Sequence, residues 1–393
     1  MLAALAAPGA AGAVPVTVSG YAAAEVRFFP GDPADSAQKS GRLSPSLALQ
    51  PEFRAEWNGG RDRALIRPFL RLDGDDAERT HADLREAYWL RDQGSWEVLT
   101  GLGRVFWGVT ESRHLVDIVN QTDLVEHLDE EDKLGQPMVN LTLFQSFGAV
   151  SLFVLPGFRE RTFPGRRARF RGALPIASDE PVFESPARRR RIDFAARWSN
   201  AFGAWDVGAT LFHGTGREPR LVPSLDSGGA PVLVPHYDII SQAGLDIQYT
   251  RENWLWKLEA LGRRGNGKRF AAMVAGFEYT LFGLFGPVDL SILAEYLRDG
   301  RGAAAPATSA DDDLFGALRL TFNNASSTTA LIGATVDRSS GGAVLRFEAQ
   351  HRLSDTWSLG VEAWGFTGIP ASDTALAGIR RDDFVQVRLQ RSF

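Results

Sequence analysis

Residues 382 to 393 read DDFVQVRLQRSF, and their parity decides how the chain is read. Val385, Val387, Leu389 and Phe393 share one parity, and Gln386, Arg388, Gln390 and Ser392 share the other. That two-residue period belongs to a β-strand with one apolar and one polar face; Arg391 is the exception. The split recurs upstream. In SLALQPEFRAEW, residues 46 to 57, Leu47, Leu49, Phe53, Ala55 and Trp57 oppose Ser46, Gln50, Glu52, Arg54 and Glu56. In IISQAGLDIQYT, residues 239 to 250, Ile239, Ala243, Leu245, Ile247 and Tyr249 oppose Gln242, Asp246, Gln248 and Thr250. No stretch carries a convincing helical period. Segments of this kind number about eighteen, most near the ~10 residues that a tilted strand needs to cross a bilayer.

The connections between segments alternate between short and variable. The short ones read NGGRDR, DQGS, SFGA, NAFG, REN, LFGP, NNASS and SDT. All fall on one end of the implied sheet. The other end carries residues 30 to 42, 108 to 136, 162 to 189, 217 to 236, 299 to 312 and 367 to 381, with brief links near Gly265 and Gly341. A soluble sandwich has no reason to sort loop length by side, whereas an outer-membrane barrel has tight periplasmic turns and long external loops. Trp57, Trp89, Trp96, Trp198, Trp205, Trp254 and Trp357 all lie within a few residues of a short turn. Amphipathic indoles favour the headgroup level, so these residues mark an aromatic girdle. The expected fold is all-β: a transmembrane antiparallel up-and-down barrel of about 18 strands, a single domain over residues 14–393.

Composition agrees by exclusion. With 393 residues, 44% of them hydrophobic, and no apolar run of about 18, a helical membrane protein is excluded. Cysteine is absent, so neither disulfides nor thiolate metal sites can form, which suits export into an oxidising compartment. Residues 1–13, MLAALAAPGAAGA, resemble the end of a secretory signal peptide, with cleavage near Ala13. A closed barrel must pair its last strand with its first, VTVSGYAAAEVRF, or leave backbone polar groups bare in hydrocarbon. Phe393 behind alternating apolar residues resembles the assembly signal of Gram-negative outer-membrane proteins, which implies the barrel assembly machinery as a partner.

Residues 108–136 are the leading candidate for a loop folded into the barrel. Acidic groups dominate them, and Leu115, Val116, Ile118, Val119, Leu124, Val125 and Leu128 require an apolar surface that solvent does not offer. The expected constriction residues are Glu111, Arg113, Asp117, Asn120, Asp123, Glu126 and Asp129. Arg54, Arg67, Arg71, Arg85, Arg104, Arg197, Arg319, Arg346 and Arg388 are the expected opposing wall. Acid facing arginine across a pore selects by size and charge; the plainer reading is that loop and wall only brace each other. Ten arginines between Arg159 and Arg191 form a second cluster, from which Arg166, Arg167, Arg169, Arg188 and Arg189 are expected to bind lipopolysaccharide phosphates or gather anions. No aromatic stacking platform accompanies them, so nucleic acid is not an expected partner.

The segment GRVFWG, Gly103 to Gly108, followed by DIVNQTD, Asp117 to Asp123, resembles the G-R-Q-x-x-W-G … D-x-x-N-P-x-D pattern of uncharacterised porin-like outer-membrane proteins and, more distantly, alginate-export barrels. Gly103, Arg104, Trp107, Gly108, Asp117, Asn120 and Asp123 match; Val105 and Gln121 depart from its glutamine and proline. The resemblance covers about 20 residues plus the chain end and implies an eighteen-strand export or uptake channel. Six scattered histidines, with neither a G-x-S-x-G elbow nor an H-E-x-x-H pair, argue against an enzyme. No cofactor or metal is expected; the acidic run Asp129 to Asp132 lacks the spacing of a known calcium loop. The sequence therefore points to a channel for small polar or anionic solutes, set among outer-membrane lipids. A barrel hydrolase acting on lipid or peptide and a surface scaffold or adhesin are the alternatives.

Overall fold

The computed structural model describes residues 14–265 and 268–393, so the signal-peptide reading of residues 1–13 lies outside the described residues. Its strands are β1 (Val16–Phe28), β2 (Leu43–Trp57), β3 (Asp62–Asp73), β4 (His81–Asp92), β5 (Trp96–Gly103), β6 (Gln136–Gln145), β7 (Gly148–Pro156), β8 (Val182–Phe183), β9 (Ile192–Phe202), β10 (Trp205–Thr215), β11 (Arg220–Leu225), β12 (Pro231–Tyr237), β13 (Ile239–Arg251), β14 (Trp254–Gly265), β15 (Lys268–Phe285), β16 (Val288–Asp299), β17 (Asp312–Thr321), β18 (Thr329–Asp337), β19 (Ala343–Arg352), β20 (Trp357–Thr367) and β21 (Phe384–Ser392). Eighteen of them form one sheet in which each strand pairs antiparallel with its chain neighbours and β1 also pairs with β21. The sheet is therefore a closed up-and-down barrel. β8, β11 and β12 make a separate three-stranded sheet within the long loops.

Alternation sets which way each strand faces. Along β2, Leu47 and Leu49 lie on the outside with 57% and 40% of their surface exposed, while Ser46 and Ala48 on the inside keep 4% each. The outside carries Phe53, Ile66, Leu70, Leu72, Leu211 and Ile332, all exposed, and this is the inverse of a soluble protein. At the turn end, backbone conformation suits the residues present: Asn58, Gly59 and Gly60 between β2 and β3 all have positive φ, at 53°, 68° and 82°. The aromatic group predicted for this end is assembled there, with Trp254 packed on Trp256, Phe277 and Tyr279, and Trp205 on Tyr249. The seam closes where Gly20 and Phe393 exchange two backbone hydrogen bonds of 3.0 Å. Gly20 sits at φ 149°, and a Cβ there would approach Gln50 O to 2.4 Å, so the seam tolerates no side chain at this position.

Loop boundaries differ slightly from those read in the sequence. The folded-in loop runs over residues 104–135, because β5 stops at Gly103 and β6 starts at Gln136. Residues 217–236 are not a plain loop: β11 and β12 pair there as a hairpin despite Pro223, Pro231 and Pro235, and β8 joins β12 in parallel.

Candidate functional site

Residues 104–135 enter the barrel because one stretch of them is apolar. Leu115, Val116, Ile118 and Val119 are buried, and the last three pack with Met138 of β6, Phe153 and Leu155 of β7, Phe212 of β10 and Ile240 of β13. Leu115 turns the other way, onto Leu261, Val274 and Leu293 of β14, β15 and β16. Burying four aliphatic side chains is worth roughly 6–12 kcal/mol gross, against which the entropy of ordering the loop is set. Its base is stapled by Asn120, whose side chain accepts from Val105 N at 2.9 Å and donates to Gly103 O at 3.0 Å and Leu134 O at 2.9 Å. Trp107 is buried edge-on against Phe153 and under Arg197, and Gly108 lies so close to His114 that a Cβ would come within 2.8 Å of its ring. The sequence pattern that carried the resemblance thus shapes the loop's fold.

Two walls hold the loop by opposite means. On the β1–β4 side the wall supplies cations: Arg71 bridges Glu25 at 2.6 Å and Glu126 at 2.7 Å, Arg79 pairs with Glu25 at 3.0 Å, and Arg85 reaches Asp123 at 2.5 Å. All six side chains are nearly inaccessible to water. On the β14–β16 side the wall supplies anions. Glu259 accepts from Val109 N at 2.7 Å, Thr110 N at 3.0 Å, Thr110 Oγ1 at 2.7 Å and Val116 N at 3.1 Å. Glu295 accepts from Glu111 N and Ser112 N, both at 2.8 Å. A wall of arginine facing an acidic loop is therefore only half of the arrangement. Sequence reasoning misses Glu259 and Glu295 because it looks for opposite charge and overlooks backbone amides as partners; their place on the inner parity of β14 and β16 is the available signal.

The remaining expected wall residues also share carboxylates with the wall itself. Arg54 pairs with Glu56 at 2.5 Å, Arg67 with Glu52 and Glu86, Arg104 with Glu86 at 3.5 Å, and Arg197 with Asp246 at 2.6 Å. Arg388 reaches Glu25 at 3.1 Å. Arg104 alone of the set lies outside a strand, at the start of the loop.

Beside the loop, on the β17–β20 side, the charges stay wet. Glu111 meets Arg319 at 2.7 Å, Asp129 faces Arg346 at 3.9 Å, and Arg346 also pairs with Glu348. Arg319 and Arg346 on the inner parity of β17 and β19 each keep 28% of their side-chain surface, and away from this wall Glu130 and Glu131 keep 42% and 46% beside Arg161 and His114. Exposed charge inside a closed barrel means water there. Arg113 points away from this space to Glu218 at 3.1 Å, and Asp117 is buried against Lys133 at 3.3 Å. Burial opposes the charge on Glu111, but Arg319 and Lys257 hold its carboxyl below the usual range. Burial likewise disfavours the cation on His127, yet Asp129 and Glu362 raise its pKa to about 10, and Asp129 itself falls to about 2. Asp132 goes the other way, raised by burial and by Glu126 and Asp129 to about 6.

Over the mouth, residues 157–191 act as a strap. Arg169 pairs with Asp382 at 2.9 Å, Arg171 with Asp35 at 2.5 Å, Gly165 N donates to Asp76 at 3.1 Å, and Leu233 N donates to Pro175 O at 2.9 Å. The expectation of an exposed arginine cluster fails at Arg169, which is buried, because the loop at residues 368–383 brings Asp382 to it and the loop at residues 29–42 covers it with the Phe29 ring and the Gly31 carbonyl. Arg166 is exposed but engaged by Asp226 at 2.9 Å, and Arg189 by Glu160 at 2.5 Å; Arg167 and Arg188 remain exposed.

His81, Asp123 and Glu126 converge closely enough to resemble a metal triad. Each carboxylate already accepts from a buried guanidinium, Arg85 or Arg71, so the charge that a cation would neutralise is already neutralised. His213 Nδ1 lies 2.9 Å from Ser241 Oγ, but its Nε2 faces Arg191 at 3.1 Å where a catalytic base requires a carboxylate.

No protein-family profile and no curated protein matches the chain in sequence. Solved structures do match in shape. One is a carbohydrate-binding outer-membrane barrel, Wzi, involved in group 1 capsule assembly in Escherichia coli; it aligns over 97% of this chain and 85% of its own with a TM-score of 0.55 and 9% identity. The fold is that of an outer-membrane β-barrel. A BenF-like porin from Pseudomonas fluorescens Pf-5 aligns over 96% of this chain and 98% of its own, with a TM-score of 0.54 and 9% identity. At such identity the likeness speaks for the porin-type barrel alone, and the loop and wall residues are this chain's own.

Proposed function

We propose that the chain resides in a bacterial outer membrane and passes small polar or charged solutes through the water-filled space between loop residues 127–133 and the β17–β20 wall. One observation carries this reading: Arg319 of β17 and Arg346 of β19, on the inner parity of the closed barrel, each keep 28% of their side-chain surface. Carboxylates on the loop opposite Arg319 and Arg346 set a field across that space, which discriminates solutes by charge while the loop limits size. The apolar outward face supplies the lipid contact that a spanning barrel needs.

Because the chain has no cysteine, Glu348→Cys and Arg346→Cys provide unique thiols on the wet wall. In planar bilayers the wild type conducts, and a charged methanethiosulfonate reagent reduces the current of either variant stepwise but not that of Ala48→Cys, whose position is buried and carries no charge partner. Absence of current both from the folded wild type and from a folded variant lacking residues 111–132 overturns the reading. A second reading, a non-conducting barrel that binds carbohydrate at its outer surface, is favoured by the strap of residues 157–191 across the mouth. It requires silent bilayers together with glycan retention.

A further inference from the structure

Outside the barrel, the strand registers line up one row of outward residues across five strands: Phe194, His213, Ser241, Arg264 and Arg269. The next row toward the turns is Ala196, Leu211, Ala243, Gly262 and Ala271. Small side chains at Ala196, Ala243 and Gly262 leave a concavity of about 570 Å³ beneath the polar row. It faces outward: its lining takes outward residues two apart on β9, β10, β13 and β14, and no residue of the folded-in loop reaches it. Its height follows from β10. Trp205 lies in the aromatic group at the turn end, and His213 is eight residues along, about 27 Å of strand or ~20 Å of height once tilted, so the polar row sits at the far edge of the ~25 Å apolar band.

Arg264 and Arg269 are direct cross-strand partners, an arrangement of like charges that costs stability. Among the described residues no carboxylate relieves them, whereas Arg298 and Arg338 on the same face share Asp312 at 3.4 Å and 3.0 Å. Arg191 lies 3.1 Å from His213, but its charge is already met by Asp193 at 3.1 Å. Two guanidiniums at the interface above a smooth apolar trough match a phosphate attached to an acyl chain, since guanidinium forks bind phosphate oxygens in pairs. Resting on lipid covering the outward face, we propose that this groove seats one phosphorylated, acylated sugar lipid of the outer leaflet, the chemistry of lipid A. Its phosphate lies between Arg264 and Arg269, and an acyl chain lies over Ala196, Ala243 and Gly262. This is a different place from the loop arginines read in the sequence.

The test is native mass spectrometry of the full chain in detergent micelles titrated with purified diphosphoryl lipid A. Wild type retains one lipid, and Arg264→Gln/Arg269→Gln weakens retention about tenfold. Gly262→Leu with Ala243→Leu keeps every charge and fills the trough; a Cβ at Gly262 would meet only open space, so the barrel accommodates the change, and retention again falls severalfold. Arg298→Gln/Arg338→Gln retains lipid A as wild type does. Retention unchanged in both groove variants, equal retention of phosphatidylcholine by wild type, or an equal loss in the Arg298/Arg338 variant overturns the proposal. No arm depends on conductance, so a silent barrel would leave this result standing.

Discussion

The two flanks of the folded-in loop use the same side chains to opposite ends. Toward β1–β4, Arg71, Arg79 and Arg85 meet Glu25, Glu126 and Asp123 with water shut out. Toward β17–β20, Arg319 and Arg346 meet Glu111, Asp129 and Glu348 with a quarter or more of each arginine still wetted. Charge pairing on the dry flank is a fastening whose partners cannot be removed singly. On the wet flank it is a lining whose members can be exchanged.

The sharpest way to break this comparison is Arg71→Ala. It strands the buried carboxylate of Glu126 and takes one of three guanidiniums from Glu25, which keeps Arg79 and Arg388, and is expected to cost about 3–5 kcal/mol in denaturant unfolding and to release the loop. A cost below about 1 kcal/mol would make the dry flank no different from the wet one. Next in size is Glu259→Ala, which orphans Val109 N, Thr110 N and Val116 N together. A loss of about 1–3 kcal/mol is expected, with noisier single-channel current as residues 109–116 loosen.

His127 offers a pH test of the boundary between the flanks. Its folded pKa, about 10, lies above the ordinary 6.5, so the stability it contributes is fully present below pH 6.5 and is lost as pH rises through 10. Loop opening, read as increased conductance, should therefore grow toward pH 10 in the wild type and be absent from that range in His127→Phe. The smallest expected effect on stability is that of Arg346→Ala, within about 1 kcal/mol, because Arg346 and its nearer partner Glu348 keep 28% and 37% of their side-chain surface and Asp129, 3.9 Å away, retains His127. Its effect should appear instead as a shift of ion selectivity toward cations, measured by reversal potential.

Strand period and loop sorting were legible because each is written in residues next to one another, so Leu47, Leu49 and Phe53 face out as their parity required, and the pairing of the last strand with the first followed from closure of the barrel, with the Gly20–Phe393 register left to the structure. The folded-in loop was legible for the same reason, through Leu115 to Val119. Partnership was not. Nothing near Arg169 in the chain announces Asp382, and nothing near Glu259 announces Val109, since each pair is joined only by the curvature of the barrel. The hairpin of β11 and β12 was hidden by Pro223, Pro231 and Pro235, which interrupt the alternation that revealed the other strands.

The rim of the barrel is uneven. Residues 157–191 rise and fold over one side, whereas residues 338–342 join β18 to β19 almost flush with the wall, close above the strand that carries Arg346. In the proposed channel, a solute descending along the barrel axis would meet the strap, while one skimming the bilayer would meet a lowered threshold, a doorway that would favour molecules already gathered at the membrane surface over those arriving from the bulk medium.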